Sequence, residues 1–445
     1  MVQWVVLAIT VIILGLLIIW KPLYLVPLLG IAVALEISST WYPDLGMIGK
    51  ALGMVSLTRF TSFALILAAF VRVIFMREMR QKFGAVLKDP LTIILIIFLA
   101  LGAASVVYSA DSGKTVAETI RLLVLFAVFV SIALLMDKDH SLLPFHAVHW
   151  AALALAPLSF YEAFTGNLIW QAQNLMKEHT LRVNTTFVDP NIFARFLILG
   201  IVANFIIQLY TREKGTKLFY LASLSILLAQ LVLTSSRGGM ITLVAILIGA
   251  LILLPNRKAV LWVLGLGVLC GAIVLFIRPD IWERMTLVFK NYADYNYQRL
   301  YLWKAAIAIF KDHPILGSGL GSFQTVFLRD YIALKNVADG ATLSHSTILT
   351  IAAELGIVGL TVLALFWIVM LVRIFTLFGN SNVYLSMFND FHNEYYVGAG
   401  YFLWAAAVFI SSQAEGRFFE DPVLWLCCAM LVVLRFSREY KVRLD

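Results

Sequence analysis

"HSTILTIAAELGIVGLTVLALFWIVMLV", residues 345–372, contains a single Asp, Glu, Lys or Arg, which is Glu354. An α-helix rises 1.5 Å per residue, so about 20 apolar residues cross the hydrocarbon core of a bilayer. This stretch is long enough and apolar enough to do so. Comparable runs lie at 3–20, 22–37, 59–76, 90–109, 117–136, 142–163, 190–210, 217–234, 239–255, 259–277, 397–413 and 421–436. The fold class they predict is an all-α polytopic membrane protein with about 12–13 transmembrane helices. "WKP" at 20–22 reads as a turn or a kink between the first two runs, and the adjacent Lys and Pro favour the turn. The N-terminus "MVQWVVLAIT" lacks the basic start of a secretory signal, so it is read as a membrane segment.

Composition agrees with this reading. Charged residues are 13% of the 445, against about 25% in soluble domains, and hydrophobic residues are 61%. The net charge of +8 is spread in small clusters between apolar runs, which argues against nucleic acid as the partner. Cys270, Cys427 and Cys428 all lie in apolar runs and form neither a disulfide framework nor a metal-ligand pattern.

The basic clusters set the expected orientation. Arg72, Arg77, Arg80, Lys82 and Lys88 form one; Arg212, Lys214 and Lys217 a second; Arg257 and Lys258 a third; Arg435, Arg438, Lys441 and Arg443 a fourth. Alternating from run to run, all fall on one side, predicted to be cytoplasmic and to include the C-terminus. Loops 37–58, 164–189, 235–238, 278–344 and 414–420 then face outside. The chain divides into ten spans over 1–277, an external helical lid over 278–344, and C-terminal membrane helices with a short cytoplasmic tail over 345–445.

Four stretches at the external ends carry chemistry. "LTSSRGGM" (233–240) holds Arg237 between two apolar runs with almost no loop; Gly238 and Gly239 are read as allowing a tight turn beside the guanidinium. A snorkelling Arg is the plain alternative, but an external Arg opposes the charge bias, which favours function. "YNYQRLYLW" (295–303) sets Arg299 among Tyr295, Tyr297, Tyr301 and Trp303, which either stack on sugar rings or form an interfacial aromatic belt.

"LRVNTTFVDPNIFARF" (181–196) leads into a span. Asp189 or Asn191 caps that helix with Pro190 in its first turn, and Arg195 lies one turn inside, where a charge needs a partner or a polar cavity. Arg182 lies just outside it. In the opening stretch, Ser344 or Thr342 is expected to cap the helix and to place His345 in its first turn. The helix dipole and nearby arginines disfavour imidazolium there, so a neutral general base is expected. Glu354, inside the span, calls for a buried Arg or a helix–helix contact, and Gly356 and Gly359 for close helix packing. Arginine forks match phosphate oxygens in pairs, so a lipid-linked phosphate or pyrophosphate suits this face. The external loops show no paired-aspartate metal motif, so the arginines are expected to stabilise charge in a metal's place.

In this order and spacing the residues resemble the O-antigen ligase/polymerase family, which includes Wzy-type polysaccharide polymerases. The resemblance rests on "SRG" (236–238), on Arg299 with Trp303 and "HPILGSGLGSF" (313–323), on "SHSTILTIAAELGIVGL" (344–360) and on "TFVDPNIFA" (186–194). It covers roughly residues 180–360; "VNTTF" (183–187) departs from it where the family pattern has a glycine.

The resemblance implies a GT-C-like membrane glycosyltransferase of the inner (cytoplasmic) membrane, acting on its periplasmic or external face. Such an enzyme moves a glycan from undecaprenyl pyrophosphate to an acceptor hydroxyl with inversion, without metal or cofactor. Arg237, Arg299 and Arg182 would bind the pyrophosphate and His345 would activate the acceptor. Ser236, Gly238, Ser344 and Glu354 would support them. The acceptor would be lipid A core or protein in a lipopolysaccharide-type ligase, or a second lipid-linked repeat in a polymerase; a chain-length regulator is a candidate partner. A lipid-linked sugar transporter is the rival class, for which midplane charges and internal repeats would be the sign.

Overall fold

The computed structural model describes residues 1–44, 55–170, 176–177, 180–254, 257–290, 297–331, 343–379, 394–416 and 418–442. Asp-Pro pairs open three of its helices. Asp89, Asp189 and Asp421 accept from the backbone N–H of Leu91, Asn191 and Val423 at 2.9, 2.6 and 2.8 Å. The proline takes the first helical position, where a missing N–H leaves nothing unpaired.

In chain order the helices are α1 (Val2–Trp20), α2 (Leu25–Val33), α3 (Leu57–Phe75), α4 (Arg77–Leu87), α5 (Pro90–Ala104) and α6 (Ser112–Leu135). Next come α7 (Leu143–Ala154), α8 (Ala156–Thr165), α9 (Pro190–Tyr210), α10 (Lys214–Leu233), α11 (Arg237–Leu253) and α12 (Arg257–Ile277). The chain ends with α13 (Pro279–Lys290), α14 (Tyr297–Asp312), α15 (Phe323–Asp330), α16 (Thr347–Gly379), α17 (Glu394–Glu415) and α18 (Pro422–Val442). Met176–Lys177 and Thr180–Leu181 pair as a two-residue antiparallel ladder.

Ten helices among the described residues are long and apolar enough to cross a membrane, and three shorter apolar helices join them. Each predicted run corresponds to one of these. "WKP" is a turn: Gln3 reaches the Thr40 carbonyl at 3.2 Å, so α1 and the segment after it run antiparallel. The 142–163 run is broken into α7 and α8, with Pro157 in the first turn of the second.

The helices alternate in direction, which gives the bundle two ends. At one, Asn191 meets Ser236, Gln413 meets Ser346, and Ser38 meets the Leu57 N–H. At the other, Lys82 reaches the Leu134 carbonyl, Arg373 pairs with Asp89, and Tyr395 reaches the Leu253 carbonyl. The described members of the basic clusters lie at this second end. The first end bears the candidate site.

α13, α14 and α15 occupy the predicted lid. A small core of Tyr301, Leu302, Ile309, Phe323 and Phe327 closes on Ala353 of α16, separate from the main core.

A second run also departs from the sequence reading. α16 is broken at Gly356, whose φ/ψ of 63/−155° belongs to no helix. The turn 313–319 fills the break: Ser318 and Gly319 donate to the carbonyls of Ala353 and Glu354, while Ile357 and Val358 donate to those of Pro314 and Ile315. Backbone groups freed by the break are thus re-satisfied inside the protein, as an apolar environment demands. A Cβ on Gly356 would stand 2.3 Å from the Ile315 oxygen. Gly356 is therefore a break point rather than the helix-packing contact expected.

Candidate active site

α11 begins where Ser236 accepts from the Gly239 N–H at 3.1 Å, which makes Arg237 its first residue. The left-handed residue of this junction is Ser235, at φ 51°. Gly238 and Gly239 are helical and serve close packing instead of the tight turn expected. A Cβ on Gly239 would meet Ala194 of α9 at 2.8 Å, and one on Gly238 would meet Ala414 of α17 at 3.6 Å.

The Arg182 stretch docks on this junction. Its guanidinium donates to Asn191 Oδ1 at 2.8 Å and to the Thr234 carbonyl at 3.3 Å. Ser236 donates to the same Asn191 oxygen at 2.8 Å. Between the two candidate caps of α9, Asp189 is the one used, which leaves the Asn191 side chain free to bridge Arg182 and Ser236. Within "VNTTF", Thr185 takes φ 51°. The buried Glu162 carboxylate holds that conformation by accepting from the N–H groups of Asn184 and Thr185 at 3.1 and 3.0 Å.

His345 is not in the first turn of α16. The helix starts at Thr347, and His345 precedes it at φ 56°. Ser344 does not cap the helix; it accepts from the Ser346 N–H and pairs with Thr350 Oγ1 at 2.8 Å, closing a loop that holds His345 in its left-handed state. The helix start is capped from outside, where Gln413 Oε1 accepts from Ser346 Oγ at 3.1 Å and from the Ile348 N–H at 3.4 Å. Thr342, the other expected cap, lies outside the described residues, as does Tyr295.

The last turn of α17 joins these pieces. Arg299, exposed on α14, donates to the Ala414 carbonyl at 3.5 Å. A Cβ on Gly416 would stand 3.4 Å from the His345 nitrogen. Gly238, beside Arg237, faces Ala414. The stretches holding Arg237, Arg299 and His345 thus all border Gln413–Gly416. The N-termini of α9, α11 and α16 meet there, and a helix N-terminus presents partial positive charge and unpaired N–H groups to an anion.

Other predicted residues have different roles. Glu354 accepts from the N–H groups of Gly321 and Phe323 at 2.8 and 3.1 Å, so it fastens the turn before α15 rather than a buried Arg. Tyr301 is buried in the small core, edge-on to Phe327, with its hydroxyl on the Tyr331 carbonyl, so its ring is not available to a sugar. Trp303, one turn beyond Arg299, keeps a buried indole N–H without a hydrogen-bond partner among the described residues.

Residues 222–364 match the family model described as O-antigen ligase. Over this stretch the chain is similar to O-antigen ligases. The domain match contains Arg237, Arg299, His345 and Glu354, while Arg182, Asn191 and the Gln413–Gly416 turn lie outside it. No curated protein matches the chain. This local similarity and an all-helical polytopic membrane architecture agree with each other.

Sequence reasoning missed Glu162, the bridging role of Asn191, and the Gln413–Gly416 turn. Glu162 had a signal, an acid inside an apolar run. Gln413 and Glu415 had only a general one, polar side chains at the end of an apolar run, and the Ala414 carbonyl had none.

Proposed function

We propose that this protein is a membrane glycosyltransferase of the O-antigen ligase type. It moves a glycan from undecaprenyl pyrophosphate onto an acceptor hydroxyl at the external face of the cytoplasmic membrane. One observation carries the reading: the non-glycine residues with positive φ among the described residues are Thr185, Ser235 and His345. Each lies in one of three stretches singled out for chemistry. Such conformations cost about 1–3 kcal/mol each and persist where the surroundings enforce them, commonly at active sites.

In this mechanism Arg237 and Arg299 bind the pyrophosphate oxygens, assisted by the helix N-termini, and Arg182 shapes the junction through Asn191. The acceptor oxygen attacks the anomeric carbon from the face opposite the pyrophosphate, while His345 takes the hydroxyl proton. A C–O bond to the acceptor forms. The bond from the anomeric carbon to the pyrophosphate oxygen breaks, and its electron pair leaves with the lipid pyrophosphate. The arginines stabilise that charge without a metal. The configuration at the anomeric carbon inverts.

The test uses purified protein in lipid nanodiscs with an undecaprenyl-pyrophosphoryl oligosaccharide. Lipid A core, a protein acceptor and a second lipid-linked repeat are offered separately, so the product distinguishes ligase from polymerase. Wild-type transfer should survive a chelator, and His345→Ala should lower it at least ~100-fold with an unchanged thermal midpoint, within the range for a lost general base. Full transfer by a folded His345→Ala variant would refute the reading, and chelator-sensitive transfer would refute the arginine mechanism.

A further inference from the structure

Arg195 sits on α9, one turn beyond Asn191 and on the same face. Its guanidinium reaches Glu415 Oε2 at 2.5 Å and Asp421 Oδ2 at 2.9 Å, and all three side chains are at most 14% exposed. Glu415 ends α17, and Asp421 caps α18 through the Val423 N–H. One planar fork therefore holds both ends of the turn between α17 and α18 and ties them to α9. A buried charge in an apolar surrounding requires such partners, and an arginine fork fixes the geometry between two carboxylates through rigid, planar N–H donors, which a lysine point charge does not.

The clamped residues adjoin the candidate site. Gln413 caps the helix after His345, the Ala414 carbonyl receives Arg299, and Gly416 borders the His345 backbone. We infer that Arg195 is a positioning residue: through Glu415 and Asp421 it fixes the turn that sets His345 and Arg299 relative to the α9 and α11 N-termini. The inference rests on the glycosyltransferase reading above.

The experiment measures steady-state transfer in nanodiscs from the undecaprenyl-pyrophosphoryl oligosaccharide to the acceptor that wild type uses. Arg195→Lys keeps the charge and loses the fork; Glu415→Gln keeps the shape and loses the charge. Each should lower kcat at least tenfold while changing donor KM less than threefold, because the defect lies in alignment and not in binding. The double variant should be no worse than the weaker single, since both break one clamp.

Wild-type kcat in a folded Arg195→Lys protein would overturn the inference. So would a change confined to KM, or losses that multiply in the double variant. If Arg195→Lys fails to fold, Glu415→Gln in the wild-type background makes the same test. A comparison of wild type with His345→Ala decides the glycosyltransferase reading separately: if those two transfer equally, that reading fails whatever Arg195 does.

Discussion

At the scale of single residues, the site is built from conformations that side chains disfavour. Thr185, Ser235 and His345 hold left-handed backbone without being glycine. Glu162 enforces the first, and the Ser344–Thr350 contact encloses the third. Gly356 is the opposite case, a position that only glycine fits. Gly356→Ala should destabilise the protein by at least ~2 kcal/mol, from the disfavoured φ/ψ and the contact with the Ile315 oxygen. Thermal unfolding in detergent would measure it. Gly356 was legible in the sequence as important, but its role was not. An isolated glycine in an apolar run reads equally as a packing contact or a break, and only the partner strand of backbone, residues 314–319, decides between them.

At the scale of elements, helix ends hold this molecule together. Three start with Asp-Pro, a signal fully legible in the sequence. The end of α6 is served differently: the Lys82 ammonium of α4 donates to the carbonyls of Leu134 and Met136 at 2.8 and 2.9 Å. Burial pushes the Lys82 pKa down to about 8. The unfolded chain, with an ordinary lysine near 10.4, therefore binds more protons between about pH 8 and 10, so stability rises with pH across that window. The thermal midpoint of wild type should climb relative to Lys82→Met between pH 8 and 10, and the two profiles should run parallel below pH 7. In the sequence Lys82 is one member of a basic loop cluster. Its burial depends on α4 folding back onto the end of α6, which no local pattern specifies.

At the scale of the whole molecule, two charged clusters lock the bundle, one at each end. Arg195 with Glu415 and Asp421 lies at the site. At the far end Arg373 grips buried Asp89 with contacts of 2.8 and 2.9 Å and also reaches the Leu431 carbonyl, joining α5, α16 and α18. Arg435 approaches the same Asp89 at 3.1 Å but is 37% exposed. Arg373→Ala leaves a carboxylate buried and should destabilise by about 3 kcal/mol or more. Arg435→Ala removes a solvated partner and should cost about 1 kcal/mol or less. Paired thermal melts would check the ranking; equal effects would mean that Asp89 is more accessible than it stands here.

The sequence by itself determined the class of protein, the number and approximate positions of its apolar runs, and which loops share an end. Those follow from helix length, hydrophobicity and charge, which are properties of contiguous residues. It also marked Arg237, Arg299 and His345, since an Arg or His at a membrane boundary needs a reason. Only the tertiary structure decided that their stretches border one turn, Gln413–Gly416, that His345 precedes its helix instead of starting it, and that Tyr301 is core. Those outcomes depend on backbone groups and side chains brought together from distant segments, as Gln413 is to Ser346 and Tyr301 to Phe327, and the spacing of contiguous residues carries no record of where such groups meet.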